Sequence, residues 1–189
     1  MSFADYFIFS WATSLIVVGL IFTASGFGIF VVSRLEGFVM ILIGLAMFWG
    51  GWVMSGARGF PCAAAALLNV FDAASTVAFW NFELNPFVLK LGPTLFLIAK
   101  IAASLSIMLY AKLYSNPKKG GILLSVFFAI IVGWNLSQHL RAYLDLMVID
   151  YALFLGAAFS FTASAIVLFA IFISERLEKR TTKLVSPAR

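Results

Sequence analysis

Apolar runs of roughly 20 residues, separated by short polar corners, recur six times along the chain. The runs predict spans over Tyr6–Val32, Phe38–Ser55, Ala63–Asn81, Pro93–Tyr114, Gly121–Ser137 and Ile149–Ile173. Each is long enough to cross a hydrocarbon core of roughly 30 Å as an α-helix. The connections are short, such as Ser33–Gly37 and Ser115–Gly120, and short connections make neighbouring helices antiparallel. The expected fold is therefore all-α, an integral membrane bundle of about six helices. It forms one transmembrane domain over residues 1–173, followed by a basic tail over 174–189.

The cations orient this bundle. With both termini in the cytoplasm, nine lie inside: Arg58, Lys112, Lys118, Lys119, Arg176, Lys179, Arg180, Lys183 and Arg189. Arg34, Lys90 and Arg141 lie outside, and Lys100 is left within the membrane. The aromatics agree, because Trp and Tyr favour the two interfaces. Trp11, Trp49, Trp52, Tyr110 and Tyr114 fall near inner ends, and Trp80, Trp134, Tyr143 and Tyr151 near outer ones. The expected location is the cell membrane, as a multi-pass protein. The N-terminus carries no Lys or Arg ahead of its apolar run, so no cleaved secretory signal is expected. The tail should continue the last helix beyond the membrane as an anchor at anionic headgroups, with Pro187 ending its regularity.

Two features break the apolar pattern. Asp72 lies inside the third span and Lys100 inside the fourth. A charge near a bilayer centre costs several kcal/mol or more, so each needs a reason to be there. Asn69, Asp72 and Thr76 share one helical face, with Ser75 at its border. The third span exits into Glu83-Leu84-Asn85-Pro86, where Asn85 reads as an N-cap and Pro86 as the first helical residue. A short interfacial helix should run to Leu91, end at Gly92 and give way to a fourth span opened by Pro93. Counting from the span ends puts Asp72 roughly 14 Å deep and Lys100 roughly 10 Å deep. At those depths the lean of helical side chains toward their own N-terminus sends Asp72 inward and Lys100 outward. A direct pair and a Lys100 that snorkels outward or bonds Thr76 both stay open.

Asn69, Asp72, Thr76, Glu83, Asn85, Pro86, Lys100 and Asn135 together form an Asn-x-x-Asp-x-x-x-Thr … Glu-x-Asn-Pro … Lys … Asn signature. In this it resembles a family of small prokaryotic polytopic membrane proteins of unknown function. The resemblance covers residues from Leu67 to His139, and the first two spans and the last contribute nothing to it. It implies that the polar core or a binding site consists of Asn69, Asp72, Thr76, Glu83, Asn85, Lys100 and Asn135. It implies no reaction.

Composition narrows the chemistry further. The 189 residues are 63% hydrophobic and 11% charged, with mean hydropathy +1.05. The net charge of +5 sits at span ends and in the tail, which is no nucleic-acid signature. Cys62 is the only cysteine and His139 the only histidine, which rules out an intrachain disulfide, a cysteine-rich metal site and bis-histidine haem. Cys62 and His139 are expected at opposite faces, too far apart for a nucleophilic pair. No cofactor and no metal is expected, and with no nucleophile, metal cluster or nucleotide motif the balance is against an enzyme. The lipid bilayer is the one certain partner. Ala152, Gly156, Ser160 and Ser164 make a small-residue stripe on the last span, suited to internal packing, a homo-oligomer or a partner subunit. Two functions stay open: an accessory or structural membrane component with a polar core, and a small proton, cation or solute translocator that uses Asp72 behind an outer polar mouth lined by Glu83 and Asn135.

Overall fold

A computed structural model of the chain describes residues 3–83, 85–143 and 149–185. They form six helices: α1 (Phe3–Val32), α2 (Arg34–Met54), α3 (Phe60–Ala78), α4 (Pro86–Leu113), α5 (Lys118–Tyr143) and α6 (Ile149–Val185). A single 3-10 turn, Trp80–Phe82, follows α3. All six helices are long and apolar enough to cross a membrane. The last helix runs on past Ile173 to Val185, while Pro187 and the rest of the tail lie outside the described residues.

The first two helices form a hairpin held by glycines seven residues apart. Gly19 and Gly26 of α1 face Gly44 and Gly37 of α2, and Gly51 of α2 faces Ala12 and Ile16 of α1. A Cβ at Gly19 would lie 2.7 Å from the Gly44 carbonyl oxygen, and one at Gly51 would lie 2.6 Å from that of Ala12. The two backbones therefore touch without side chains between them, the arrangement small residues permit in lipid. A seven-residue repeat keeps such a seam on one face of a pair that crosses at a shallow left-handed angle.

The central helix is α3. It packs against α1, α4 and α5, and 67% of its apolar window is buried, more than in any other span. Its sequence explains this position. Ala63, Ala65, Ala66, Ala73 and Ala74 are all buried, and their small side chains let three neighbours approach from different sides. Around them close Ile16, Leu20, Phe48, Trp52, Ile107 and Met108. Trp52, expected near an inner end, lies in the last turn of α2 at the basic end and is a core residue at 3% exposure. It sits beside Phe48 on the face of α2 that carries Gly51, which points into the bundle.

Helices α5 and α6 form the second hairpin. Gly133 lies against the backbone of Phe159 and Ser160, Gly156 lies under the Trp134 indole, and Ser160 donates to the Ile130 carbonyl at 3.0 Å. Gly156 and Ser160 of the small-residue stripe thus meet α5 within the same chain, and the Ala152 side chain lies outside the described ones. At one end of the bundle the Arg58 amide donates to Ala111, Lys112 covers the Phe9 ring and Lys118 pairs with Glu175 at 2.7 Å. This basic end gathers Arg58, Lys112, Lys118, Lys119, Arg176 and Lys179. The opposite end carries Arg34 and Lys90 among the described side chains.

Candidate functional site

The corner between α3 and α4 is built by capping. Asn85 Oδ1 accepts from the Phe87 amide at 3.0 Å, which satisfies one of the free donors of the α4 N-terminus. Glu83 Oε1 accepts from the Asn85 amide at 2.7 Å, so the carboxylate fixes the residue that does the capping. Further along α4, Gly92 takes φ 73° and ψ 161°, and the helix kinks before Pro93. A left-handed φ of this kind is open to glycine at little cost. The interfacial segment and the span proper are therefore separate pieces, as the Gly-Pro pair suggested.

Below this corner Asp72 lies 2% exposed on α3. Its Oδ2 accepts from the Lys100 ammonium of α4, and its Oδ1 accepts from Asn135 Nδ2 of α5 at 2.5 Å. Both carboxylate oxygens are thus engaged, each by a different helix. The ammonium also lies 5.4 Å from the centre of the Phe96 ring and 5.8 Å from that of Phe128, where aromatic faces favour a cation. Lys100 retains 20% side-chain exposure against 3% for Asp72. The acid is the fully enclosed member of the pair.

Register explains why the two side chains meet. Asn69 Nδ2 donates to the Lys100 carbonyl at 2.7 Å and to Ser104 Oγ at 3.0 Å. Ser104 in turn donates to the Ala66 carbonyl at 3.0 Å. The Lys100 backbone is therefore level with Asn69, about one turn nearer the basic end than Asp72. The depths counted from the sequence had the opposite order. With Lys100 the deeper residue, the lean toward each N-terminus brings the side chains together rather than apart. Ion pairing, not snorkelling, is what Lys100 does.

The remaining candidates fall around this centre. Thr76 is buried one turn from Asp72 toward the corner, and Ser75 turns back to the Asp72 carbonyl at 3.0 Å. Glu83 and Asn85 belong to the corner and not to the ion pair. Asn135, expected at an outer mouth, is instead a direct ligand of the buried carboxylate. Ser104 was not anticipated. It lies one turn beyond Lys100 on the same face of α4, so the 3.6-residue period could have found it.

His139 is the other residue the sequence undervalued. Its ring stacks on Phe79 at 4.5 Å with an interplanar angle of 21°. Neither ring nitrogen reaches solvent or a hydrogen-bond partner among the described residues. Asp72 and Glu83 both act on it electrostatically, although neither forms an ion pair with it. Cys62, by contrast, is at the basic end beside Pro117 and Gly121. Cys62 in the first turn of α3 and His139 of α5, stacked on the C-cap of α3, lie at opposite ends of the bundle, and no Cys-His chemistry connects them. No group of three or more His, Cys, Asp or Glu side chains suited to a metal occurs among the described residues.

Comparison with protein-family models, with curated proteins and with solved structures finds no match to this chain. Fold and site together still define a class: an all-α polytopic membrane protein with a buried Asp–Lys pair at the meeting point of three helices.

Proposed function

We propose that the chain is an accessory or structural membrane component, in which the Asp72 cluster fixes how α3, α4 and α5 assemble. One observation carries this reading: both oxygens of Asp72 are already taken, by Lys100 and Asn135. A carboxylate held by a cation on one side and an amide on the other is poorly placed to take up and release a transported proton. It is well placed to define register, the best-attested use of buried polar groups. In this reading the similarity to small prokaryotic membrane proteins extends to the signature residues, and the polar core serves folding and partner choice. The test pairs two measurements on Asp72→Asn: folded yield, and proton or cation flux in proteoliposomes. Loss of yield with no flux in wild type supports the proposal. Robust flux in wild type that vanishes in a well-folded Asp72→Asn would overturn it.

A small translocator is the second reading, and His139 is what favours it. Its ring nitrogens, without a hydrogen-bond partner among the described residues, lie at the corner end of the bundle within electrostatic reach of Glu83 and Asp72, which extends the polar line toward the surface. The flux measurement decides between the two.

Both termini are proposed to be cytoplasmic, because the basic end gathers six described cations. Cys62 is fully buried, so it reports poorly on sidedness. Ser115→Cys and Lys90→Cys in a Cys62→Ala background place exposed thiols at opposite ends of α4. In intact cells an impermeant maleimide should label the cysteine at position 90 and spare that at position 115. The reverse pattern would invert the topology.

A further inference from the structure

Among the described residues, the buried side-chain nitrogens and oxygens that lack a hydrogen-bond partner are Nδ1 and Nε2 of His139. Buried polar groups are ordinarily bonded, and an imidazole changes charge near neutral pH, so this ring needs an explanation. Its position is fixed by the stack on Phe79, the C-cap of α3. From Phe79 the chain passes through the 3-10 turn to Glu83, whose Oε1 accepts from the Asn85 amide. His139 on α5 therefore lies against the short segment that joins the central helix to the cap of α4.

The charges around the ring decide what a proton does there. Two carboxylates act on it, Glu83 from the corner and, less strongly, Asp72 from α3. Lys100 of α4 is committed to Asp72. Asp150 of α6 and Arg141 of α5 itself have side chains outside the described ones. Both Asp72 oxygens are taken, by Lys100 and Asn135, whereas Glu83 is held through one oxygen. A protonated imidazole carries two N–H donors and a positive charge, and in apolar surroundings it needs a carboxylate. Glu83 is the carboxylate at hand.

We propose that His139 is a pH-operated latch at the corner. Its protonated ring donates to Glu83 and ties α5 to the cap of α4, while its neutral ring keeps only the stack on Phe79. The stabilisation is present in acid and is lost as the pH rises through the midpoint of the ring. The latch acts above Asp72 and goes beyond either function proposed for that cluster.

His139 is the only histidine, so isotope-labelled histidine in the full chain reports one ring by NMR in nanodiscs. Between about pH 8 and about pH 5 its signals should pass from the neutral to the doubly protonated form. Glu83→Gln keeps an acceptor for the Asn85 amide but removes the charge, and should lower the midpoint by about 1 pH unit. Amide hydrogen exchange reads the latch itself. Rates at Asn85 and Phe87, each divided by the intrinsic rate at that pH, should slow about fivefold on acidification, the size of one partly solvated ion pair. They should not slow in Glu83→Gln, nor in His139→Phe, which keeps the stack. Asp150→Asn should behave as wild type. A ring still neutral at about pH 5, a midpoint unmoved by Glu83→Gln, or slowing that persists in His139→Phe would each overturn the proposal. So would an effect that Asp150→Asn removes, which would assign the partner to α6.

Discussion

Removing Lys100 and removing Asp72 should not cost the same. In Lys100→Met the carboxylate, 3% exposed, keeps the Asn135 amide and loses the one cation paired with it among the described residues. Breaking a buried pair in this way typically costs about 3–5 kcal/mol. In Asp72→Asn the stranded charge is an ammonium with 20% exposure, a long flexible stem and two aromatic faces beside it. It has ways to relax, so the loss should be near the lower end of that range, about 3 kcal/mol. The double variant removes both charges. The amide introduced at position 72 can still accept from Asn135, but one of its own N–H groups lacks an acceptor, which leaves a deficit of about 1–3 kcal/mol. Two independent losses would sum to about 6–8 kcal/mol, so the coupling expected is at least about 3 kcal/mol. Denaturant unfolding of the four proteins in one detergent measures it. Losses that add to within about 0.5 kcal/mol would refute the pair as an energetic unit.

Three further expectations follow from particular contacts. Gly44→Ala should lower stability by about 1–3 kcal/mol, because the new methyl meets the Thr23 amide nitrogen at 2.5 Å and the Gly19 carbonyl at 2.7 Å, both backbone. Gly50→Ala, with nothing within 4 Å, should show no loss in the same unfolding assay, and equal effects at the two positions would discredit the hairpin seam. His139→Phe keeps the stack on Phe79 and removes two buried, unpartnered nitrogens, so its melting temperature should match or exceed wild type. A marked loss would mean that the imidazole bonds something the described residues do not include. Asn135→Leu should cost about 1–3 kcal/mol in wild type and much less in an Asp72→Leu background, since its amide donates to that carboxylate; equal costs in both backgrounds would count against the contact.

Hydropathy alone revealed six apolar helices, and local turn chemistry revealed the corner. Asn85 caps α4 and Gly92 breaks it, both decided within a few residues of sequence. The residues of the cluster were equally visible, because a charge in an apolar run stands out against its neighbours. What remained hidden was their relative height. Measuring depth from apparent span ends treats the corner as a flat cap, yet the 3-10 turn and the interfacial start of α4 shift one helix against the other by about a turn. A displacement of that size decides whether two side chains diverge or converge. The seven-residue spacing of Gly19 and Gly26, and of Gly37, Gly44 and Gly51, was legible in principle. It shows only when the two helices are read as partners, since each glycine series acquires meaning from the other. The end of the bundle that holds His139 was legible, but its stacking was not, because that depends on Phe79, which is far away in sequence.

The geometry of the cluster also bears on why a membrane protein keeps a charge pair at its centre. Helices α4 and α5 both flank α3 but have little contact with each other. In lipid, apolar side chains give weak guidance on how two such helices align, because the surrounding chains are as apolar as the helices themselves. The Asp72 carboxylate supplies what apolar packing lacks. One oxygen sets the height of α4 through Lys100, and the other sets the height of α5 through Asn135. Asn69 and Ser104 add a second fixed point on the α4 side, one turn deeper, so that α4 is held at two levels. A single misaligned turn would leave a carboxylate, an ammonium and two amides unpaired in an apolar medium, an error far costlier than any packing defect. The pair therefore acts chiefly through the alternatives it makes untenable. That is why the double variant should recover stability more readily than it recovers a unique arrangement of α4.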